Sequence, residues 1–508
     1  MAGMNWLDRA IGAVAPARAV TRLKARQQLA GMTARNEYEG ASQGRRAFSW
    51  KRRTTDANAE LSPTTMQLLR GIARDLVRNN SFASRGVGGI AEAVIGTGIT
   101  YRVMRNGKLD QAMTDLARQH FDSTSCDAEG RHDFYGLQLQ AMRAIVESGS
   151  VLMRRRWRRK SDGLPVPFCM QLLEPDYINM QLTTPLPGGG YRIAGIDFDG
   201  IGRRVAYQMY AGHPGSVLPG KLDTNTIPAI DVAHCFRADR PEQQHGVTWF
   251  SPVIVRLKDF GEYNDAQLVR QKIAACYAAF RIGDPDGDPV PTTDSNGVEI
   301  DLSGNQEMLE PGVITDLAPG TSIEFSEPPG VEGFADVSRI SLQEISAGLG
   351  APYEVITGDL SNVSFISGRL GRLNFKRSVE TWQWTMFIPQ FCEPAGQWFL
   401  DAAAMMGRDV AGCTFEWTTP TFEMMDPASE VPAKRDEIRA GLTSLSEAIR
   451  ERGRDPDMVI REIASDYALL DELGITLDCD PRKVTQVGNA VAVPNADVRN
   501  APPPKGTK

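Results

Sequence analysis

Several short segments of this 508-residue chain carry residue types that perform chemistry elsewhere. Gly215-Ser216-Val217-Leu218-Pro219-Gly220-Lys221-Leu222 comes within one residue of a Walker A loop. Such a loop cradles phosphates with backbone N–H groups, ligates magnesium through a final Ser or Thr, and joins a strand to a helix. Here Leu222 holds that last position and Asp-Thr-Asn-Thr-Ile-Pro follows, so no nucleotide site is expected. Gly86-Val87-Gly88-Gly89-Ile90-Ala91 matches G-x-G-x-x-A, but polar sequence precedes it, and it reads as a Gly-rich helix start. Asp284, Asp286 and Asp288 imitate the opening of a calcium loop; Pro289 stands where Gly is needed and the bidentate Glu is missing, which leaves a solvated loop. His234 and Cys235 are adjacent, so in a strand they point to opposite faces and make no dyad. Only five His occur, none in metal-ligand spacing, and there is no G-x-S-x-G elbow. The chain is expected to do no covalent chemistry and to need no cofactor and no metal.

The basic residues say more. Arg369, Arg372 and Lys376 share one helical face, with Arg377 beside them, directly after a polar segment from Thr357 to Gly368. Such a stripe suits a phosphate backbone; a solvated or inter-subunit salt-bridging face has the same pattern. Arg154 to Lys160 is denser, but on a hairpin its members alternate faces, and a solvated or subunit-contact role is expected. The opposite charge is concentrated between Ile282 and Ser338: 57 residues without Lys or Arg, holding 13 Asp or Glu, eight Gly and seven Pro. This is an irregular, turn-rich lobe between two helical patterns. It is built to meet a partner or to repel one, or it is a solvated insertion.

The elements that position these residues follow from composition and periodicity. At 42% hydrophobic and 23% charged the chain is an ordinary globular sequence long enough for two to four domains. Net charge is −7, although residues 1–60 hold 11 Lys or Arg against 5 Asp or Glu and read as a basic arm. Seven scattered Cys without a C-x-x-C suit a reducing compartment. No apolar run reaches 18 residues, so no membrane span is expected. Asp8 and Arg9 interrupt the N-terminal apolar patch, which excludes a secretory signal. Leu7, Ala10, Ile11 and Val14 form one face of a short helix expected to pack on its own neighbour and not on a membrane.

A helix is predicted from Pro63 to about Val77, with Leu68, Leu69, Ile72 and Leu76 on one side. A second runs from about Phe134 to Glu147 and stops at Gly149. A β-hairpin follows, 151–160 with 168–173 around Ser161-Asp162-Gly163, then short strands within 191–210 and 231–237. Ser251-Pro252 is a helix start, and nothing breaks the pattern until Phe280, about 29 residues or roughly 43 Å. Ala274, Ala275, Ala278 and Ala279 would let another helix approach. After the acidic lobe, Val337, Ile340, Ile345 and Leu349 predict a helix ended by Gly350 and Pro352. An aromatic-rich helix begins near Ser367, carries Trp382, Trp384, Phe387, Phe391, Trp398 and Phe399, and must kink at Pro389 and Pro394. Asp455-Pro456 caps a further helix with Ile460, Ile463, Tyr467 and Leu470 in near-heptad spacing, closed by Gly474. The tail beyond Asp480 has the composition of a disordered segment.

These segments, in order, resemble the lambda-type phage portal proteins. The resemblance is carried by Arg78-Asn79-Asn80 with Val94-Ile95-Gly96-Thr97-Gly98-Ile99; by Arg240-Pro241-Glu242-Gln243 with Gly246-Val247 and Ser251-Pro252; and by Asp265 to Arg270 with Lys272 to Cys276. It continues through Gly350 to Glu354, Thr357 to Ser364, Gly441 to Ser444 and Arg452 to Pro456, spanning about residues 60 to 475. Phe365-Ile366-Ser367-Gly368 departs from the usual Tyr-Ser-Ser followed by a small residue, which bears on the fine contacts of that loop.

The resemblance implies an α+β portal fold: basic arm 1–60, β-containing wing 61–250, first stem helix 251–280 and clip 281–334. It further implies a second stem helix 335–350, tunnel loop 351–368, a long kinked helix returning to the wing 369–427, an α-helical crown 428–474 and a tail 475–508. It implies a ring, usually of twelve subunits, at the portal vertex of a virion capsid, made in the bacterial host cytoplasm, through which double-stranded DNA is packaged and ejected. Its implied partners are the terminase large subunit, a head-completion connector protein, and the major capsid or scaffold protein. Asn362, Ser364, Arg369, Arg372, Lys376 and Arg377 would face the DNA channel, and Asp284, Asp286 and Asp288 would dock the motor on the clip. A conduit must let the duplex slide, and each neutralised phosphate strengthens binding; an acidic protein with a local basic collar meets that need. A head-assembly nuclease or protease would require a carboxylate cluster or nucleophile–base pair that is not found here. Another ring-shaped connector or baseplate protein fits the element order less well.

Overall fold

The computed structural model describes residues 54–217, 222–275, 279–282, 322–325, 333–361, 363–422 and 426–475, with 477, 480 and 482. The chain divides into two units, one ending at Glu60 and one beginning at Leu61. The described part of the first holds one helical turn, Ala57–Glu60, where the Asp56 carboxylate accepts from the Ala59 N–H at 2.8 Å. The expected helix around Leu7, Ala10, Ile11 and Val14 lies outside the described residues.

The second unit opens with α1 (Pro63–Asn79), capped by the Ser62 hydroxyl and started by Pro63. The apolar side divides: Leu69 and Leu76 are half-buried, Leu76 against the core, but the most buried positions are others. Met66, Arg70 and Ala73 are buried, while Leu68 and Ile72 are 61% and 43% exposed. The inward arginine is held by Asp176, 3.4 Å from Arg70 and 2.6 Å from Arg74. In α2 (Ser81–Ile95) the cap is Asn80, and Gly86 to Ala91 lie buried in mid-helix, not at its start. After α3 (Gln111–Phe121) comes α4 (Phe134–Ser148), which ends where Gly149 turns left-handed at φ 89°. A side chain there is excluded on space as well, since a Cβ would lie 2.5 Å from the Val247 carbonyl carbon.

Three antiparallel sheets surround these helices, and a short ribbon lies beyond them. β1 (Thr100–Arg105) pairs with β2 (Lys108–Leu109) and with β13 (Cys413–Thr418), Val103 opposite Phe415. β3 (Ser150–Trp157) and β4 (Phe168–Leu173) form the expected hairpin, and β10 (Val232–Phe236) adds to the other edge of β3. A five-stranded meander follows: β5 (Thr184–Pro185), β6 (Tyr191–Ile193), β7 (Ile196–Phe198), β8 (Arg204–Tyr210) and β9 (Thr224–Pro228). The Arg154–Lys160 cluster does alternate, but Arg155 points inward. It is paired at 2.7 Å with both Asp231 and Asp401, and stacks 4.5 Å from the Trp157 ring. That arginine is an internal tie, neither solvated nor free for a subunit contact.

The long helix predicted from Ser251-Pro252 begins later and ends earlier, as α5 (Ile254–Ala275). The Phe250 carbonyl accepts from the Val253 and Ile254 N–H groups at 2.8 and 2.9 Å, so Ser251 and Pro252 form a tight turn before the helix. Ala279–Ile282 is not helical but β11, paired with β12 (Ser322–Phe325). A short run holding an aromatic and a β-branched residue, Phe280 and Ile282, took the strand once a partner was available. Most of the acidic lobe, including Asp284, Asp286 and Asp288, and also Ala278, lies outside the described residues. The chain returns through α6 (Phe334–Leu349), where Ile345 and Leu349 are buried and Ile340 is 61% exposed.

Then come α7 (Tyr353–Thr357) and α8 (Phe365–Trp382). Over Gln383–Cys392 the helix widens to a π segment around Pro389, so that the Glu393 N–H reaches the Ile388 carbonyl five residues back. Proline has no N–H to give the ordinary ladder and clashes with the carbonyl four residues earlier; the wider turn accommodates it. Pro394 sits in the first turn of α9 (Glu393–Met405), where a missing N–H costs little. This helix fills the core: Phe387, Phe391 and Phe399 are fully buried, and Phe391 stacks on Phe134 at 6.1 Å. Each such ring contributes about 1.5–3 kcal/mol by burial. The chain closes with α10 (Pro427–Arg439), α11 (Leu445–Arg450) and α12 (Pro456–Glu472), capped by Asp455 as expected.

Candidate nucleic-acid interface

The segment from Gly350 to Gly368 buries Ala351 and Ile356 and exposes its tip, and its backbone is fixed at both ends. Gly350 closes α6 in the left-handed region at φ 76°, and its N–H meets the Ser346 carbonyl at 3.0 Å. Pro352 then starts α7, which lies on the glycine face of α2. A Cβ on Gly89 would fall 2.6 Å from Val355 Cγ1, and one on Gly86 3.3 Å from Leu349 Cδ1. The glycine pattern of residues 86–91 is thus a seat for the loop that carries the site. Three-residue spacing of Gly on one helix face was the signal for it.

Beyond α7 the turn is tied by short polar side chains. The Thr357 hydroxyl donates to the Tyr353 carbonyl at 2.8 Å and accepts from the Asp359 N–H at 3.1 Å. The Asp359 carboxylate accepts from the Ser361 hydroxyl at 2.6 Å and its N–H at 2.9 Å. The hydroxyl first, then the N–H, hold that carboxyl below its usual range. Leu360 stands 67% exposed at the tip. Ser364 caps α8, accepting from the Ser367 N–H at 3.2 Å, while the Ser367 hydroxyl receives the Ser364 N–H at 3.0 Å. This reciprocal box starts the helix at Phe365, two residues before Ser367. Asn362 lies outside the described residues.

The basic side chains follow within three turns. Arg369, Arg372 and Lys376 do share a flank of α8, next to the buried Phe375 and Val379. Each has a partner within the chain: Arg369 is 3.7 Å from Glu430 of α10, Arg372 lies over the Phe422 ring at 5.3 Å, and Lys376 is 3.7 Å from Glu380. Arg377 is on a different face, in line with Ile366, Leu370 and Leu373, which are 72%, 59% and 49% exposed. Residue spacing thus located the basic flank but missed two features, its aromatic and acidic partners and the apolar stripe alongside. Phe422 and Glu430 lie about fifty to sixty residues on, whereas Glu380, four residues from Lys376, and the stripe, at spacings of four, three and four, were there to be read.

Two other clusters bear on function. Glu174, Asp176 and His213 are the group among the described residues placed to hold a metal ion. Arg74 is 3.1 Å from Glu174 and 2.6 Å from Asp176, and Arg70 adds a second guanidinium, so the cationic role is already filled by protein. The Gln243 side chain of the Arg240–Gln243 motif is buried; its Oε1 accepts from the Asp239 and Arg240 N–H groups and its Nε2 donates to the His245 carbonyl at 2.7 Å. Gly246 then passes so close to Gly149 that a Cβ would meet its oxygen at 2.0 Å. Through Gln243 that motif braces the approach to α5, while Arg240 and Glu242 stay at the surface. His234 and Cys235 are both buried in β10, with burial pushing the thiol up.

Comparison with known proteins gives a consistent answer. The model of the family described as phage portal protein, lambda family, matches residues 43–383. A probable portal protein of Halomonas phage phiHAP-1 is 26% identical over 464 residues, covering 86% of this chain and 87% of the relative. Portal protein B of Escherichia phage lambda is 22% identical over 424 residues, 73% of this chain and 75% of that one. Among solved structures, a chain in the neck of a native gene transfer agent particle, computed with C12 symmetry, aligns over 78% of this chain and 95% of its own at 16% identity, with a TM-score of 0.43.

Proposed function

As the chain belongs to the lambda family of phage portal proteins, we propose that its copies close into a ring at one capsid vertex and that double-stranded DNA passes through the centre. The observation that carries this reading is the loop from Gly350 to Gly368. Its tip at Leu360 is exposed while its base is seated on glycines, and it is tied by side-chain turns and followed at once by a basic flank. Such a loop can touch a moving duplex without being pulled out of shape. Its arginines and lysine are already partnered by Glu430, Phe422 and Glu380, so they meet phosphates briefly and do not hold them. Strong neutralisation would stall the duplex.

In this reading residues 61–250 form the wing, α5 and α6 the stem, the lobe between them the clip, 351–368 the tunnel loop, and α10 to α12 the crown. The ring has twelve subunits in the family pattern. The clip docks the terminase large subunit during packaging and a head-completion protein afterwards, and the outer surface meets the major capsid or scaffold protein. Exposed apolar side chains on separate faces support a ring: Ile366, Leu370 and Leu373 on α8, Val337 and Ile340 on α6. Two different faces meeting head to tail give a closed cycle when the rotation permits.

Replacing Arg369, Arg372 and Lys376 together with Ala tests the channel assignment: packaged genome length should fall while rings still form. Full-length genomes from the triple variant would remove these residues from the channel. Reversing Asp284, Asp286 and Asp288 to Lys should weaken terminase binding in a pull-down and leave ring assembly intact; unchanged binding would take the docking role from them.

A further inference from the structure

The C-terminal helices are attached to the rest of their unit by other means than the core helices. α2, α4 and α9 bury a broad face each, whereas α10 buries no side chain, α11 only Ala448 and α12 only Pro456. The apolar residues of α12 remain partly or largely open: Met458 and Leu469 are more than half exposed, and Ile460 and Ile463 are each 41% exposed. The hydrophobic effect therefore does little to hold α11 and α12 in place.

Charge does. Arg102 rises from β1 with its side chain 11% exposed. Its Nε and Nη2 clamp the Glu416 carboxylate of neighbouring β13 at 3.2 and 2.9 Å. Its Nη1 turns outward to Asp457 and, at 3.5 Å, to Asp455, the cap of α12. One guanidinium thus faces three carboxylates from two elements more than 300 residues away in sequence. Around it, Arg118 of α3 donates to Met458 Sδ at 2.9 Å, and Gly453 rests on the strand exit, where a Cβ would lie 3.1 Å from the Thr419 oxygen. A weaker tie, Arg369 to Glu430 at 3.7 Å, lies in the open, with side chains 47% and 28% exposed.

We propose that Arg102 is an electrostatic latch that docks the α11–α12 pair on the β1–β13 sheet, and that the pair comes away as a unit when the latch opens. Without the guanidinium, Asp455 and Asp457 face Glu416 with nothing between them, and attraction becomes like-charge repulsion. The helix itself keeps its cap, because Asp455 still accepts from the Asp457 N–H at 3.0 Å. What is lost is docking, and an undocked helix of this length frays.

Hydrogen exchange on the assembled full-length chain reads this directly. In Arg102→Met, amides of Leu445–Glu472 should exchange at least about tenfold faster, while those of β1 and β13 keep their protection. Unchanged exchange in α11 and α12, or an equal rise in the two strands, would overturn the latch and make Arg102 a sheet residue only. The double variant Asp455→Asn with Asp457→Asn guards against a misfolded Arg102 variant. It preserves a capping side chain and the Arg102–Glu416 clamp, and should show the same selective rise. Raising salt from 0.1 to 1 M shrinks the screening length from about 10 to 3 Å, so wild-type exchange in these helices should rise with salt and that of the double variant should not. Wild-type protection in the double variant, or equal salt sensitivity, would contradict the proposal.

Discussion

Lys376 and Glu380, like Arg369 and Glu430, are exposed pairs at 3.7 Å, and such pairs contribute about 0–1 kcal/mol each. That small value would let a side chain leave its carboxylate for a phosphate and return, as the proposed channel role requires. Buried charges and rings behave differently. His120 is fully buried against the Phe121, Phe168 and Phe399 rings, and neither ring nitrogen has a partner among the described residues. Burial lowers its pKa to about 4, as it does for His245, and burial lowers that of His234 as well. The folded state therefore binds fewer protons than the unfolded state between about pH 4 and 6.5, so stability is complete above 6.5 and is lost progressively as pH falls through that window. His120 alone accounts for about 3 kcal/mol at full protonation. His120→Leu, close in volume and free of the polar ring, should flatten the acid limb of a denaturant-midpoint profile between pH 4 and 6.5 and raise stability at its lower end. An unchanged profile would mean that the ring is hydrated or partnered in solution.

At the scale of elements, the loop depends on its seat. Gly89→Ala places a Cβ 2.6 Å from Val355 Cγ1, so α7 must shift. The expected cost is about 1–3 kcal/mol, with faster amide exchange over residues 353–361, and Val355→Ala in the same chain should recover most of it. No recovery would place the strain elsewhere. The same contact shows where sequence reading succeeds and stops. Helix ends written in local chemistry were legible: Gly149, Gly350, Asp455 and the hairpin around Gly163 are where spacing put them. Features decided by distant residues were not. Nothing near Arg70 announces that Asp176 turns it inward, and nothing near Thr100 announces pairing with Thr418. Ala279-Phe280-Arg281-Ile282 reads as helix by continuity and as strand by type, and its cross-strand partner decided it. For the site, the polar loop and the basic flank were legible, whereas Phe422 and Glu430 beside them, and the glycine seat beneath, needed the fold.

At the scale of the whole molecule, a net charge of −7 per chain keeps most surfaces repelling DNA, and the exposed stripe Ile366-Leu370-Leu373 remains uncovered in a single copy. Three large apolar side chains in one exposed helical line call for a neighbour. Leu370→Glu together with Leu373→Glu should leave the circular dichroism spectrum and melting temperature of the monomer unchanged, because neither residue is in the core, while assembly shifts to smaller species in ultracentrifugation. Undiminished assembly would move the subunit contact to another face. The proposed function requires a ring, and electron microscopy of the purified wild-type protein shows directly whether one forms. The predicted result is closed rings of one size with a central hole wide enough for a DNA duplex; a field of monomers, or open filaments without a hole, would contradict it.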